Sequence, residues 1–245
     1  MSKVGIITQA RMGSTRLPGK VLRTARGISM LEYHIRRLRA SGLPVVIATT
    51  RLPEDDAIEQ AATQLGVACY RGDGEDVLSR YYETAVQFQL DTIVRVTSDC
   101  PLIDGSLIRS AVDQYVTAAN PQQYISNGIQ RTYPRGLDFE VFSFQLLAEA
   151  QHHARSASDR EHVTPYIHQN RSGLVEIEQV VRAADASLYR VTLDTVEDFA
   201  LLKVLLEQYH ADTLATDELI RLLEQHPELV AINAATEQKK YDFTT

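Results

Sequence analysis

The chain has 245 residues, a net charge of -7 and two cysteines. The charge is uneven, because residues 1–31 contain six basic residues and no acidic one, which leaves -13 on the rest. An acidic protein binds duplex nucleic acid poorly, and no stretch approaches the roughly 20 apolar residues of a membrane span. We therefore expect a soluble protein without nucleic-acid or membrane partners, in a reducing cytoplasm where both cysteines stay free.

In the first half of the chain, short apolar runs alternate with segments of helical periodicity. The predicted strands are Val4–Thr8, Pro44–Thr49, Val67–Tyr70 and Thr92–Thr97. The predicted helices are Met30–Ala40, Asp55–Leu65, Asp76–Gln89 and Ser106–Ala119. This alternation predicts an α/β protein with a mainly parallel sheet and helices on both faces.

After about residue 120 the pattern changes, and turn signals separate shorter elements. The predicted strands are Tyr124–Ser126, Asp138–Phe142, Leu174–Val180 and Tyr189–Leu193. The predicted helices are Ser143–His153, Arg160–Gln169, Val196–Tyr209 and Thr216–Glu224, followed by a polar tail. Without a repeat or a linker, we predict one domain over residues 1–245, in which residues 121–172 form a small inserted lobe.

A basic loop at residues 9–20, which we call the first loop, follows the first predicted strand. Ligands bind at this position in open α/β sheets. Gly13 and Gly19 permit close backbone approach, and Arg11, Arg16 and Lys20 supply charge for phosphate oxygens. The glycines are one residue too far apart for a Walker A loop, and the dinucleotide fingerprint G-x-G-x-x-G is absent. The loop therefore predicts a binding site for a small, highly charged anion. The alternative is that it is an ordinary basic surface turn.

Seven motifs occur along about residues 3–200. They are Ala10–Lys20, Ala48–Thr50, Arg71-Gly72 with Asp76–Tyr81, Thr97–Leu102, Gly136–Phe142, Arg160–Pro165 and Leu193–Asp198. In this order they resemble the cytidylyltransferases of the spore coat polysaccharide biosynthesis protein F type, and more distantly the CMP-sialic acid and CMP-3-deoxy-manno-octulosonate synthetases. The resemblance implies a Rossmann-like (GT-A-like) nucleotidyltransferase fold, a three-layer sandwich. It also implies Mg²⁺-dependent transfer of CMP from CTP to an acidic sugar or related acceptor, with release of pyrophosphate, for surface polysaccharide synthesis.

The resemblance places the nucleotide on the first loop and near the third predicted helix. The candidate catalytic residues are Arg11, Lys20 and Asp99. Arg11 and Lys20 would stabilise the charge on the departing pyrophosphate, and Asp99 would hold the metal ion. The implied nucleotide-binding residues are Ala10, Arg11, Gly13, Ser14, Arg16, Lys20, Thr49, Arg71, Asp76 and Arg80. The cytosine base is expected near Thr49 and Arg71.

Two carboxylates at predicted strand ends are candidate ligands for Mg²⁺, which takes one or two carboxylates with phosphate oxygens and water. Asp99 follows Thr92–Thr97, and Asp104 is better placed than Asp99 to cap the next helix. The resemblance implies that Asp194 completes the site. The alternative is that Asp194 caps the following helix with Glu197, although Thr195 competes for that cap.

The predicted lobe contains candidate residues for binding the acceptor. They are Asp138, Glu140, Arg160, Glu161 and His162. An acidic acceptor favours Arg135 or Arg160, whereas an amine favours Asp138 or Glu140. The alternative is a hairpin and a helix cap with solvated charges.

Other functions remain open at this point. The acceptor could be a phosphonate or a phosphate ester. A glycosyltransferase using a nucleotide-sugar would be expected to carry Asp-x-Asp, where this chain has Ser98-Asp99-Cys100. A non-catalytic nucleotide sensor would be expected to lack Asp99 or Lys20. By analogy with the relatives, we expect a homodimer that uses residues 121–172.

Overall fold

The structure, a computed structural model, describes residues 3–237, so the end of the polar tail lies outside the described residues. The strands of its central sheet are β1 (Val4–Gln9), β4 (Val45–Thr50), β5 (Ala68–Gly72), β6 (Thr92–Thr97), β7 (Gln123–Ser126), β8 (Glu140–Ser143) and β9 (Glu176–Gln179). Their order is β5-β4-β1-β6-β8-β7-β9. The pairs are parallel except those of β8, which runs antiparallel to both neighbours. The predicted mainly parallel sheet is confirmed.

The helices are α1 (Met30–Arg39), α2 (Asp56–Leu65), α3 (Val77–Gln87), α4 (Gly105–Ala118), α5 (Phe144–His153), α6 (Ala157–His162), α7 (Pro165–His168), α8 (Val196–Gln208), α9 (Thr216–Gln225) and α10 (Pro227–Ala231). Neighbouring residues of β1 point to opposite faces of the sheet. Ile6 packs in a core with α1, α2 and α4, whereas Ile7 packs in a core with α3 and α5. The chain therefore forms three layers.

A third core lies at the C-terminal end of the chain. It joins α8, α9 and α10 to the short hairpin of β2 (Thr24–Ala25) and β3 (Ile28–Ser29). Leu17 of the first loop and Leu193 are both buried in it. This packing holds the first loop beside Asp194, at the edge where β1 and β6 end.

Residues 121–172, the predicted lobe, supply β7 and β8 to the central sheet and α5, α6 and α7 beside it. The contributions of this segment to acceptor binding and dimerisation stay predictions. Within residues 3–237, none of the helices combines the length and apolar character needed to cross a bilayer.

Two predicted elements are wrong. The segment 189–193 is not a strand of the sheet, since it forms only one isolated bridge, between Arg135 and Arg190. The predicted helix Arg160–Gln169 is broken at Val163, a buried β-branched residue with φ 73° and ψ -54°. There the Thr164 amide donates a 2.8 Å hydrogen bond to the His162 carbonyl, which closes a three-residue turn of a strained type.

Candidate active site

A cavity of about 860 Å³ opens beyond the ends of β1 and β6. The side formed by the first loop and α3 comprises Ala10, Arg11, Ser14, Thr15, Arg16, Lys20, Val77 and Arg80. Its floor includes Asp99 and Asp194. The far side, which we call the lobe wall, comprises Arg95, Tyr124, Ser126, Arg131, Arg135, Asp138, Glu140, Glu161, His162, Thr164 and His168.

The first loop is fixed by its own backbone and by Asp55. Gly19 has φ 65°, and its amide donates to the Met12 carbonyl at 3.0 Å. The Met12 amide donates to the buried Asp55 carboxylate at 2.7 Å, and Thr50 of β4 bonds to the same carboxylate. The loop is therefore tied to the neighbouring strand, and its cations are presented on a fixed backbone.

Lys20 joins the two predicted metal ligands. Its Nζ lies 2.8 Å from Asp99 Oδ2 and 2.8 Å from Asp194 Oδ1, and its side chain is only 13% exposed. Burial opposes the charges, but the ion pairs prevail: the two carboxylates raise the pKa of Lys20, and Lys20 lowers the pKa of Asp99 to about 2. Asp99 is thus ionised at any pH near neutrality.

Asp194 lies beside Lys20 although the segment before it, 189–193, is not a strand of the central sheet. The Leu193 amide donates to the Asp99 carbonyl at 2.8 Å, and Arg190 donates to Asp194 Oδ2 at 3.0 Å. The cap of α8 is Thr195, whose box partner is Asp198 rather than Glu197. The cap therefore does not use the Asp194 carboxylate, which faces Lys20 instead.

The two predicted carboxylates would suit Mg²⁺ if a bound polyphosphate supplied further oxygen ligands. Asp99 and Asp194 are hard oxygen donors that already face one shared cation, Lys20. Within the described residues there is no cluster of three or more histidine, cysteine or acidic side chains that could enclose a metal. The remaining ligands would be phosphate oxygens and water, which is the usual arrangement for Mg²⁺ in phosphoryl-transfer sites.

A buried hydrogen-bond chain supports the Asp99 segment from below. His34 Nδ1 lies 2.8 Å from the Cys100 carbonyl, and a carbonyl only accepts, so Nδ1 carries the proton. His34 Nε2 therefore accepts from the Thr8 hydroxyl at 2.9 Å, and Thr8 in turn accepts from Ser98 at 2.8 Å. This order links α1, β1 and the end of β6, and fixes the backbone next to Asp99.

His34 gives the protein a predicted pH dependence. Burial lowers the pKa of His34 to about 4, although the Cys100 carbonyl and Asp99 act in the opposite direction. In the unfolded chain His34 is protonated below about pH 6.5, whereas in the folded chain it stays neutral down to about pH 4. Protons therefore bind preferentially to the unfolded state, and the free energy of unfolding falls by about 3 kcal/mol in total as the pH drops from about 6.5 to 4.

His34→Gln removes this titration. We expect denaturant unfolding of the variant to depend less steeply on pH between 4 and 6.5 than that of the wild type. The exposed His152, in the last turn of α5, provides the control, and His152→Gln should retain the wild-type slope. Equal slopes for His34→Gln and wild type would contradict the assignment of neutral, buried His34.

Arg80 is the most deeply buried cation in the cavity wall. It is 1% exposed, its Nη1 donates to the Asp73 carbonyl at 2.9 Å, and its Nε has no hydrogen-bond partner. Within residues 3–237 no carboxylate lies within ion-pair distance of it, and burial lowers its pKa, with nearby Arg11 adding to the effect. A buried guanidinium with unmet donors is poised for an acceptor atom of a ligand.

Arg80→Met tests this role of Arg80. Because the variant removes a buried charge without a carboxylate partner, we expect unchanged or raised stability of the ligand-free protein. We expect CTP affinity to fall at least about tenfold, since a charge-assisted hydrogen bond is lost. Calorimetric titration with CTP checks it, with Arg36→Met on the exposed face of α1 as control. Unchanged affinity in Arg80→Met would exclude Arg80 from the binding site.

The lobe wall contains paired charges. Arg95 Nη1 donates to Glu140 Oε2 at 2.6 Å, and Glu140 Oε1 accepts from Tyr124 and from Thr164, each at 2.8 Å. Burial opposes ionisation of Glu140, but Arg95 holds its pKa below the usual value. Arg131 and Asp138 form a second pair at 2.5 Å. The broken helix at Val163 is what brings Thr164 to this wall.

The structure does not bring all the predicted residues together. Arg71 is ion-paired with Asp56 and Glu59 on α2, outside the cavity lining. Thr49 is fully buried in β4, and Gly13 also lies outside the lining.

Asp76 and Arg160 serve a connection between helices. Asp76 accepts from the Ser79 amide at 2.9 Å and so caps α3. Arg160 Nε donates to the same carboxylate at 2.9 Å, and Arg160 also bonds to Gln151. Both side chains therefore have partners away from the cavity lining, and their nucleotide-binding and acceptor-binding roles stay predictions.

Sequence reasoning missed several lining residues, chiefly Arg95, Tyr124, Thr164 and His168. One signal was present: Arg95 is a charge in the middle of the apolar run of β6, where a strand buried on both faces favours apolar residues. Tyr124 and His168 carried no such signal, since aromatic residues are common in strands and at helix ends.

The chain is similar to known proteins over nearly its whole length. A family model described as Cytidylyltransferase matches residues 5–241. The chain is 36% identical to an uncharacterized protein of Methanocaldococcus jannaschii, with 98% of each chain covered. It is 33% identical to the spore coat polysaccharide biosynthesis protein SpsF of Bacillus subtilis, with 98% of this chain and 99% of that protein covered.

Solved structures agree as well. A cytidylyltransferase from Leptospira borgpetersenii superposes with a TM-score of 0.90 at 34% identity, covering 98% of this chain and 100% of that one. A CMP:2-keto-3-deoxy-manno-octonic acid synthetase complexed with CTP superposes with a TM-score of 0.63 at 20% identity, covering 84% of this chain and 98% of that one, and supports the fold alone. The chain belongs to the cytidylyltransferase family and is a CTP-dependent nucleotidyltransferase.

Proposed function

We propose that the protein is a Mg²⁺-dependent cytidylyltransferase that transfers CMP from CTP to an acidic sugar or related acceptor for surface polysaccharide synthesis. The observation that carries the proposal is Lys20, held 2.8 Å from both Asp99 and Asp194 in one cavity beside Arg11 and Arg16. Cations for a polyphosphate and carboxylates for a divalent ion thus face the same space. The similarity to a spore coat polysaccharide biosynthesis protein supports the pathway.

The nucleotide would lie along the first loop. Arg11, Arg16 and Lys20 would bind the triphosphate, with Ser14 as a further donor in the lining. The base would lie toward Val77 and Arg80, because Arg80 is the buried donor at that end of the cavity. A structural neighbour of the same fold was crystallised with CTP, which supports CTP as the nucleotide.

The reaction needs little covalent chemistry from the protein, so catalysis would rest on positioning and charge stabilisation. An acceptor oxygen attacks the α-phosphorus of CTP, and the bond from that phosphorus to the bridging oxygen of the β-phosphate breaks. Asp99 and Asp194 would hold Mg²⁺, which when bound would neutralise phosphate charge and favour ionisation of the acceptor hydroxyl. Arg11 and Lys20 would stabilise the departing pyrophosphate.

The acceptor would lie in the cavity against the lobe wall. Its hydroxyl groups would meet Tyr124, Ser126 and His162, and its acidic group would meet an arginine. Arg135 lies in this wall, whereas Arg160 does not. Asp138 and Glu140 are paired with Arg131 and Arg95, so we propose that they orient those arginines.

Pyrophosphate release tests the proposal. The protein is incubated with Mg²⁺, each of the four nucleoside triphosphates in turn, and a panel of acidic sugars, phosphonates and phosphate esters. We expect release with CTP and with one class of acceptor. Release without any acceptor, or turnover of a nucleotide-sugar in place of CTP, would overturn the proposed function.

A further inference from the structure

Lys20 occupies the position between the two carboxylates at which a divalent cation would be held. Its Nζ is 2.8 Å from an oxygen of each carboxylate, so the two oxygens lie within twice that distance of each other. A magnesium ion needs oxygens at about 2.0–2.1 Å in a near-octahedral arrangement. The ammonium and the metal ion therefore cannot occupy the same place.

Two arginines near Asp194 also oppose the binding of a free metal ion. Arg16 lies 3.2 Å from Asp194 Oδ2, and Arg190 lies 3.0 Å from the same oxygen. Two carboxylates are thus contacted by three cations: Lys20, Arg16 and Arg190. Arg190 is also paired with the buried Asp198, so Lys20 and Arg16 are the cations that neutralise Asp99 and Asp194. A free divalent ion approaching this site meets carboxylates that already have cationic partners, in a partly buried place where screening is weak.

A bound triphosphate would compete with the two carboxylates for Lys20 and Arg16. Lys20 and Arg16 both belong to the first loop and line the same cavity, so a polyphosphate on that loop offers them new anionic partners. If Lys20 turned to the phosphates, one oxygen of Asp99 and one of Asp194 would be released toward the nucleotide. The phosphate oxygens also complete the coordination that two carboxylates leave open.

We propose that Lys20 is the resident counter-ion of the cation site, so that a divalent cation enters only with the nucleotide, once Lys20 has moved to the triphosphate. This inference rests on the proposed function, because it takes Asp99 and Asp194 as the metal ligands. It makes one residue responsible for two properties: low affinity for free metal, and the coupling of metal binding to nucleotide binding.

Mn²⁺ without nucleotide is the probe, and the electron paramagnetic resonance signal of free Mn²⁺ reports binding. We expect wild type to bind Mn²⁺ weakly, and Lys20→Met to bind one Mn²⁺ at least about tenfold more tightly, since a charge in contact with both ligands has been removed. Lys20→Arg keeps the charge and should bind as weakly as wild type. Lys203→Met, on the exposed side of α8, should also match wild type.

A second substitution locates the ion. In Lys20→Met combined with Asp99→Asn, the gain in Mn²⁺ affinity should disappear. Lys20→Gln is an alternative uncharged variant, and circular dichroism selects a folded one. Unchanged or weaker Mn²⁺ binding in a folded, uncharged variant would overturn the inference, as would a gain that survives Asp99→Asn. Pyrophosphate release by wild type from CTP would still support the proposed function in that case, so the two failures are distinguishable.

Discussion

Asp99→Asn is expected to lower kcat by at least about 10³-fold, because the variant loses a metal-binding charge that stabilises the polyphosphate in the transition state. Asparagine has the same shape, so packing at the end of β6 is retained. Lys20 keeps Asp194 as its partner at 2.8 Å, so no buried charge is stranded. The fold should therefore persist, with a circular dichroism spectrum like that of wild type.

Steady-state pyrophosphate release with CTP measures the effect of Asp99→Asn. The matched control is Asp113→Asn on α4, where the carboxylate is 58% exposed and pairs with Arg109. Surface pairs of this kind contribute little, so Asp113→Asn should keep its rate within about twofold. A rate for Asp99→Asn above about a tenth of wild type would show that Asp99 is not a metal ligand in the reaction.

Lys20→Met should lower kcat about 10²- to 10³-fold, since it removes a cation placed to stabilise the charge on pyrophosphate. The KM for CTP should rise as well, because the ground-state triphosphate loses the same contact. The side chain is 13% exposed, and methionine fills its volume. The two carboxylates then face each other without their counter-ion, so the ligand-free variant should be less stable than wild type.

Addition of divalent cation separates the two effects of Lys20→Met. Mn²⁺ or Mg²⁺ should restore thermal stability to the variant more than to wild type, because the ion replaces the lost ammonium, whereas kcat should stay low at every metal concentration. Lys203→Met is the control for both measurements. Recovery of kcat by excess metal would mean that Lys20 only neutralises the carboxylates and does not act on the nucleotide.

The sheet and the first loop were predictable from the sequence because both rest on local patterns. Apolar runs gave β1, β4, β5 and β6, and the glycines and cations of the first loop follow β1 directly. Asp104 caps α4 as expected, with its carboxylate accepting from the Ser106 amide at 2.9 Å. These features depend on neighbours in the sequence, which periodicity and capping rules describe.

Other parts of the site depend on contacts between distant segments. Asp194 was expected at a strand end, yet it is placed by hydrogen bonds to the Asp99 carbonyl and by Arg190. The turn at Val163 could not be foreseen, because a β-branched residue disfavours positive φ and only surrounding packing holds it there.

The partners of the motif residues that follow β4 could not be predicted from the sequence either. Arg71 and Asp76 match the family motifs, but Arg71 pairs with α2 and Asp76 pairs with Arg160 across 84 positions of sequence. Both side chains are thus held by partners that the motifs do not reveal, and their nucleotide-binding roles stay predictions. Arg80, in the same stretch, was also expected from the motifs, and it does line the cavity. Its burial without a carboxylate partner could not be predicted from the sequence.

Analysis of the reaction products is the most direct test of CMP transfer from CTP to an acceptor. The protein is incubated with CTP, Mg²⁺ and the acceptor that gives pyrophosphate release, and the products are analysed by mass spectrometry and ³¹P nuclear magnetic resonance. We expect an acceptor joined to CMP through the α-phosphorus, with one pyrophosphate formed for each CMP transferred, and at least about 10³-fold slower formation of both products with Asp99→Asn. Intact CTP alongside a glycosylated acceptor, or hydrolysis of CTP without a CMP adduct, would contradict it.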